Sequence, residues 1–366
     1  MNKDMNKTTN TNAVLSKNQF FALLLIFPLA IFSKIFQYLM LGEKYFIDSN
    51  KILNLILGNT NLYGASYHVT AEFFKFINIF NLHSLLSWSV YLAIIFNLVF
   101  FFLLCRLRNL KQFDYLYIYI SIFLLNVFAF NLNKEILQLI FFFFIYIIFK
   151  KEKYSNVKKV ILSSIVIIIE AMTFRTYYIL LVVTFSLTFM ILNYMIKSKN
   201  RNNTLKLIFF AVILFLAILN ISKYIIPSMY NDLINVRNGY EVGLADANTL
   251  IKSVFSNNDN FLYYSLNYII NTVRIFFPFE LLNKGIKYFP FIVYQLFNLY
   301  IISRGVKNAN KNNIVCVSFL IGYFLLSGTY EPDFGSVIRH ESVLMMFFVL
   351  TNTMTNVFQD VENGKE

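Results

Sequence analysis

The sequence predicts an all-α protein, a polytopic transmembrane helical bundle of about ten spans with two sizeable extracytoplasmic loops. Composition is the first observation behind this prediction. Of the 366 residues, 58% are hydrophobic and only 14% are charged, whereas charged residues make up about 25% of an average soluble domain. Glycine (11) and proline (5) are scarce, which excludes a collagen-like or disordered chain.

Ten apolar runs are the second observation. A helix needs roughly 20 mostly apolar residues to cross a bilayer, and several of these runs are short enough to require flanking residues. The candidate spans are, in order, Phe20–Leu41, Leu85–Cys105, Tyr115–Phe130, Ile136–Phe149, Val160–Phe174, Tyr177–Ile196, Leu207–Ile226, Tyr288–Ser303, Ile314–Gly328 and Val337–Thr353.

The distribution of lysine and arginine predicts the orientation. With a cytoplasmic N-terminus and ten spans, the inner segments carry about 19 of these residues and the longer outer segments about 11, as the positive-inside rule requires. Residues 1–18 and 359–366 are then cytoplasmic tails, and residues 19–358 form one transmembrane domain. The outer loops cover residues 42–84 and 227–287.

The segment Asn260–Leu282 leaves an alternative open. It is apolar enough for an eleventh span or a re-entrant segment, but a crossing there would turn the basic loop Arg304–Lys311 outward. Arg274, Pro278 and Glu280 also interrupt it. We therefore expect this segment to lie on the outer face or to dip into it.

Several residue types are too rare for the sites that they would build. The two cysteines and three histidines provide neither a disulfide framework nor a metal cluster, and the sequence has no Gly-rich phosphate loop. We expect no metal and no cofactor. The net charge of +13 is typical of basic cytoplasmic loops in a membrane protein, so we expect no nucleic-acid partner.

The strongest functional candidate is the segment Tyr330–Glu341, the outer loop before the last span. Ionisable groups at a membrane boundary cost a few kcal/mol each, so a group of them indicates function. Arg339 at a helix start suits phosphate binding, and His340 is the best general base of the sequence. Glu331 and Asp333 are reserve candidates. The alternative is a helix cap with a snorkelling arginine.

Two further arginines lie near the predicted boundary. Arg175 is at a tight hairpin tip, where it reaches a lipid phosphate or pairs with Glu170, one helical turn earlier. Arg274 is flanked by aromatic residues and followed by Pro278 and Glu280. This second pattern indicates either a phosphate- or sugar-contacting loop or an interfacial anchor.

Four other charged residues have simpler interpretations. We interpret Lys134 and Glu135 as a helix cap with a snorkelling lysine. Asp48, in the first outer loop, is a candidate catalytic base among several loop acids. Lys34 lies inside the first span, where we expect it to snorkel or to pair with a neighbour.

The run Asp333-Phe-Gly-Ser-Val-Ile-Arg339-His340 resembles a family signature. It matches the pattern (N/D)-x-G-(T/S)-x-x-R-(H/Y) before the last span of Wzy-type and EpsG-like bacterial oligosaccharide repeat-unit polymerases. Further stretches are similar to features of the same proteins, namely Lys44–Ser49, Asn133–Glu135, Phe174–Tyr177 and Phe277–Glu280.

This resemblance implies a metal-independent membrane glycosyltransferase in the bacterial cytoplasmic (inner) membrane. Such an enzyme polymerises undecaprenyl-pyrophosphate-linked repeat units at the outer face, for capsule, O-antigen or exopolysaccharide. Its expected partners are that lipid-linked glycan, membrane lipids, a chain-length regulator and a flippase. The pyrophosphate- and sugar-binding residues would be Arg175, Arg274, Arg339 and Glu280. The catalytic residue would be His340, with Glu331, Asp333 and Asp48 in reserve.

Other functions compete with this one. A GT-C-like transferase of polyprenyl-phosphate sugars would use Asp48 or Glu43 as base and would not need His340. A lipid-linked oligosaccharide flippase or other transporter would line a mid-membrane cavity with charge, which only Lys34 and Glu170 approach. A membrane O-acyltransferase would need a histidine in a cytoplasm-side helix, which this sequence lacks.

Overall fold

The computed structural model describes residues 17–60, 63–107, 110–198, 204–225, 227, 230–231, 234, 249–255 and 260–362. Most of the two predicted tails and the middle of the predicted loop 227–287 lie outside the described residues. Within the described part the protein is all-α, and its only β-bridge joins Leu250 to Asp333. The helices are α1 (Lys17–Leu24), α2 (Ile26–Met40), α3 (Ile47–Ile56), α4 (Ala65–Ile77), α5 (Leu85–Cys105), α6 (Gln112–Leu124), α7 (Lys134–Lys150), α8 (Asn156–Thr173), α9 (Ile179–Ser198), α10 (Thr204–Ile225), α11 (Phe261–Phe276), α12 (Phe289–Lys307), α13 (Ile314–Tyr330), α14 (Phe334–Ser342) and α15 (Met345–Glu362).

The apolar helices indicate a membrane protein. Four helical stretches of the described chain are long and apolar enough to cross a bilayer, or five if a bent pair counts as one span. Val212–Ile225 and Ile314–Tyr330 are apolar but shorter. The four stretches are Lys17–Met40, Leu85–Cys105, Gln112–Ala129 and Thr176–Ile196.

The last predicted span, Val337–Thr353, is not one straight helix. It is broken into α14 and α15, which meet at an angle of 62°. The short helix α14 is amphipathic, and it buries Val337, Ile338, His340 and Glu341. Arg339 and His340 therefore lie in the last turn of α14, and the prediction that Arg339 is at the start of a helix is wrong. Helix α15 continues to Glu362, so part of the predicted tail 359–366 is helical.

Helix α13 is the centre of the bundle. All 17 of its residues are buried, as expected of a helix that is apolar all round. It packs closely against α9, because a Cβ at Gly322 would lie only 2.7 Å from the backbone nitrogen of Phe185. Thr184 Oγ1 donates to the Gly322 carbonyl (2.9 Å) across the same contact.

Helix α11 covers most of the ambiguous segment Asn260–Leu282. It packs beside the C-terminal half of α13, where Tyr268 Oη donates to the Leu325 carbonyl (2.9 Å). A side chain at Gly328 would overlap Thr272 on α11, so the two helices approach closely at that point. The helix ends two residues before Pro278, which cannot donate the next helical hydrogen bond.

Candidate functional site

A buried carboxylate joins two arginines and a histidine from distant parts of the chain. Glu135, in the first turn of α7, is 1% exposed. Its Oε1 lies 3.3 Å from Arg175 Nη2, 3.3 Å from Arg339 Nε and 2.9 Å from His340 Nε2. We call these four residues the Glu135 cluster. It lies where α7 begins and where α8 ends, beside α14.

Local capping explains why these side chains converge. Asn133 Oδ1 accepts a hydrogen bond from the Lys134 N–H (3.0 Å), which caps α7 and starts the helix just before Glu135. Asp333 Oδ1 accepts from the N–H groups of Gly335 (2.7 Å) and Ser336 (3.0 Å), which caps α14. The predicted reserve acid Asp333 is therefore engaged as a helix cap.

His340 lies between two carboxylates. Its Nδ1 is 2.6 Å from Glu331 Oε1 and its Nε2 is 2.9 Å from Glu135 Oε1; only a doubly protonated imidazole donates to both. Burial by itself raises the pKa of the Glu331 carboxyl, but His340 and a hydrogen bond from Ser336 hold that pKa below its ordinary value. Because both ring nitrogens are engaged, this geometry supports positioning or proton relay by His340.

Arg175 is held inside the protein. It is 6% exposed, and its Nη1 donates to Gln138 Oε1 (2.7 Å) and to Tyr178 Oη (2.9 Å). Gln138 lies one helical turn after Glu135 on α7 and donates in turn to Tyr178 Oη (2.6 Å). Arg175 therefore contacts the Glu135 cluster from its buried side and does not face an open surface.

The predicted pairing of Arg175 with Glu170 does not form. Glu170 is fully buried on α8, and neither of its carboxylate oxygens has a hydrogen-bond partner among the described residues. Arg175 pairs with Glu135 instead. Helix α8 ends at Thr173, and Arg175 lies between it and the 3-10 turn Thr176–Tyr178.

The accessible side of the site combines one carboxylate with several cations. Arg339 Nη1 lies 3.7 Å from Asp48 Oδ2, and their side chains are 29% and 30% exposed. Tyr67 Oη donates to Asp48 Oδ1 (2.5 Å). Lys134 Nζ lies 3.5 Å from the Tyr67 ring centroid, and Lys51 Nζ lies 5.2 Å from the same centroid, within cation–π range. Positively and negatively charged side chains therefore lie close together on the partly exposed side of the site.

Burial also changes the basicity of Lys134. This residue precedes the apolar run Ile136–Phe149 and is partly buried. Burial, together with the nearby arginines and against the attraction of Asp48, lowers the pKa of Lys134 to about 8. A lysine with this pKa is mostly charged at neutral pH and loses its charge in mild alkali.

Arg274 and Glu280 form a separate ion pair. Arg274 Nε donates to Glu280 Oε2 and Nη2 to Glu280 Oε1, both at 2.7 Å. Its Nη1 donates to the Lys252 carbonyl (2.7 Å). The recorded partners of Arg274 therefore belong to its own segment, whereas two of the three predicted arginines, Arg175 and Arg339, share the Glu135 cluster.

No protein family, curated protein or solved structure matches this chain. Its function must therefore be argued from the site. Within the described residues, no three His, Cys, Asp or Glu side chains converge as the ligands of a metal ion would. The side chains that do converge are suited to binding an anion and to moving a proton.

The sequence predicts a helix cap at Lys134 and Glu135, whereas the structure places Glu135 at the centre of the cluster. One signal was present, however, since Glu135 and Gln138 lie three residues apart and hence share a face of α7. Two polar residues on one face of an otherwise apolar helix indicate a buried polar contact. The contributions of Tyr67 and Lys51 had no comparable signal.

Proposed function

We propose that this protein is a membrane glycosyltransferase that polymerises undecaprenyl-pyrophosphate-linked oligosaccharide repeat units. In this proposal the chain crosses the bacterial cytoplasmic membrane about ten times, with both termini in the cytoplasm. The Glu135 cluster then lies at the outer face. The repeat units supply capsule, O-antigen or exopolysaccharide.

The observation that carries the proposal is the contact between Arg339 and Asp48 beside Lys134. A pyrophosphate leaving group needs cations that neutralise its charge, and arginine and lysine are the residues that bind phosphate best. An acceptor hydroxyl needs a base within hydrogen-bond reach. The accessible side of the site offers both kinds of group within one contact distance.

The proposed reaction uses these groups directly. Asp48 accepts the proton of an acceptor sugar hydroxyl while that oxygen attacks the anomeric carbon of the growing chain. The bond from this carbon to the pyrophosphate oxygen breaks, and its electron pair leaves with undecaprenyl pyrophosphate. Arg339 and Lys134 stabilise the negative charge that develops on the leaving group.

The buried residues have a supporting role in this mechanism. Glu135 and Arg175 hold the guanidinium of Arg339 in place, because the shared carboxylate contacts both arginines. His340 links Glu135 to Glu331 and keeps α14 oriented. Asp48 replaces His340 as the proposed base, because the His340 side chain is only 9% exposed and both its nitrogens contact carboxylates, whereas the Asp48 side chain is 30% exposed.

Glycan length in the native host tests the proposal. Cells that carry Arg339→Ala or Arg175→Ala are expected to make single-repeat glycans while the protein remains in the membrane. Lys75→Met is the control, because Lys75 is an exposed lysine whose ion pair among the described residues is with Glu72 on α4, and it should leave long polymer intact. Full-length polymer in both arginine variants would refute the proposal, and loss of single-repeat surface glycan would indicate a flippase.

A GT-C-like transferase of polyprenyl-phosphate sugars is the second candidate. The position of Asp48 favours it, because a base in the first outer loop is what that class would use. The two functions differ in the product that accumulates in Asp48→Asn cells. A polymerase defect leaves complete single repeats on the lipid, whereas a GT-C defect leaves lipid-linked intermediates that lack one sugar.

A further inference from the structure

Helix α6 ends at Leu124, ten residues before Lys134, the first residue of α7. After Leu124 the chain forms a π-helical turn, Leu125–Ala129, in which the Phe130 N–H donates to the Leu125 carbonyl (2.8 Å). π-Helical turns are rare in proteins, and those that occur frequently lie at functional sites. The last carbonyl groups of a helix lack intrahelical partners, and among apolar helices each unpaired one costs a few kcal/mol.

Lys34 supplies partners for two of these carbonyl groups. It lies on α2, and its Nζ donates to the carbonyl oxygens of Asn126 (2.6 Å) and Phe130 (2.7 Å). Gln37 Oε1 and Asn131 Oδ1 lie at 3.2 Å from the same nitrogen. All four recorded acceptors are neutral, so the ammonium is held by the helix end and not by a carboxylate. Of the two roles that the sequence predicts for Lys34, snorkelling or pairing with a neighbour, the structure shows the second. The neighbours are carbonyl groups at the end of α6.

Two asparagines supply donors for the carbonyl groups of the three residues between Asn126 and Phe130. Asn131 Nδ2 donates to the Val127 carbonyl (3.1 Å), and its backbone N–H donates to the Ala129 carbonyl (2.7 Å). Asn133 Nδ2 donates to the Phe128 carbonyl (2.9 Å). Every carbonyl group from residue 126 to residue 130 therefore has a donor.

Asn133 connects this helix end to the site. The amide that bonds α6 through Nδ2 also caps α7 through Oδ1. The residues that follow it are Lys134, which faces Tyr67, and Glu135, the centre of the cluster. A change at the end of α6 is hence transmitted over a few residues to both charged groups.

We propose that Lys34 is a positioning residue of this site. By terminating α6 it fixes the turn Phe130–Asn133, and that turn sets where α7 begins and where Lys134 and Glu135 point. The four acceptors around Lys34 Nζ include neither Arg339 nor Asp48. The inference concerns the geometry of the site, and it stands whichever reaction the site performs.

Hydrogen exchange of the purified protein in detergent tests this proposal first. In Lys34→Met, amides in peptides covering residues 125–135 should exchange at least about tenfold faster, while those of the central helix α13 stay unchanged. Lys34→Arg, which keeps the donors, should restore slow exchange. Asn133→Ala changes no charge and should also speed exchange in the 125–135 peptides, which separates hydrogen bonding from electrostatics.

Binding of inorganic pyrophosphate provides the second measurement, and only this one rests on the proposed function. Lys34→Met and Asn133→Ala should each weaken binding about tenfold, with recovery in Lys34→Arg and no change in Lys75→Met. Unchanged exchange at 125–135 in both variants would overturn the proposal. So would faster exchange throughout α13, because Lys34 would then support the whole bundle. Wild-type protein that does not bind pyrophosphate would contradict the proposed function and leave the exchange result to decide the role of Lys34.

Discussion

Two arginine–carboxylate contacts of this protein differ in sequence separation, in the distance between nitrogen and oxygen, and in exposure. Arg274 and Glu280 lie six residues apart and form a two-point pair with both distances at 2.7 Å. Their side chains are 22% and 30% exposed. Arg175 and Glu135 lie 40 residues apart, their closest contact is 3.3 Å, and their side chains are 6% and 1% exposed.

A short distance between nitrogen and oxygen therefore does not identify the ion pair that belongs to the candidate site. An exposed pair gains little because water and salt screen it. Burying several charges costs free energy, so a protein that keeps them together has compensated that cost with other contacts. Perturbed, mutually dependent charges of this kind are characteristic of functional sites, and the Glu135 cluster has them.

Glu135→Gln should have the largest effect on stability. The substitution preserves shape but removes the carboxylate that Arg175, Arg339 and His340 share. Losing one partner of a buried charge group lowers the free energy of unfolding by about 3–5 kcal/mol. Unfolding of the detergent-solubilised protein measures this, and a loss as small as that of an exposed pair would mean that the cluster is not a stabilising unit.

Asp48→Asn separates chemistry from stability at the exposed side of the same site. The amide retains a hydrogen-bond acceptor for Tyr67 but cannot take a proton, so the polymerisation rate in proteoliposomes should fall about 10²–10⁴-fold. Because the side chain is partly exposed, the free energy of unfolding should change by less than about 1 kcal/mol. A rate within threefold of wild type would remove Asp48 from the mechanism.

Lys134 should make anion binding depend on pH. Since burial lowers the pKa of Lys134 to about 8, the cation is present at pH 7 and is lost as the pH rises through that value. The affinity for pyrophosphate should therefore drop several-fold between about pH 7 and pH 9. Lys134→Arg, whose guanidinium stays charged, should bind equally well at both values. An equally steep drop in that variant would assign the pH dependence to another group.

Glu280→Gln should have the smallest effect. Breaking the partly exposed pair with Arg274 should lower the free energy of unfolding by about 0–1 kcal/mol, and this loss should shrink at high salt because ions screen the charges. Polymer length should not change. A loss as large as that expected for Glu135→Gln would remove the distinction between the two regions.

Several features of the site could be predicted from the sequence. Arg175, Arg339 and His340 are ionisable residues at the ends of apolar runs, and the cost of such positions marks them as functional candidates. The sequence also indicated that a helix begins at Asn133–Glu135, but the capping side chain is that of Asn133 and not of Lys134 or Glu135. The partner of Arg175 could not be predicted, because Glu170 and Glu135 are both within reach of a hairpin tip and only packing selects between them.

The sequence by itself determined that the chain is helical and apolar and that most of its candidate site residues lie at the boundaries of apolar runs. Those properties depend on composition and local spacing, which each segment carries alone. Only the tertiary structure decided that Asp48, Glu135, Arg175 and Arg339 meet while Arg274 remains apart. Contacts between residues 40 or 205 positions apart depend on how helices bend, end and pack, as at the end of α6 and at the 62° bend before α15. No local pattern encodes those angles.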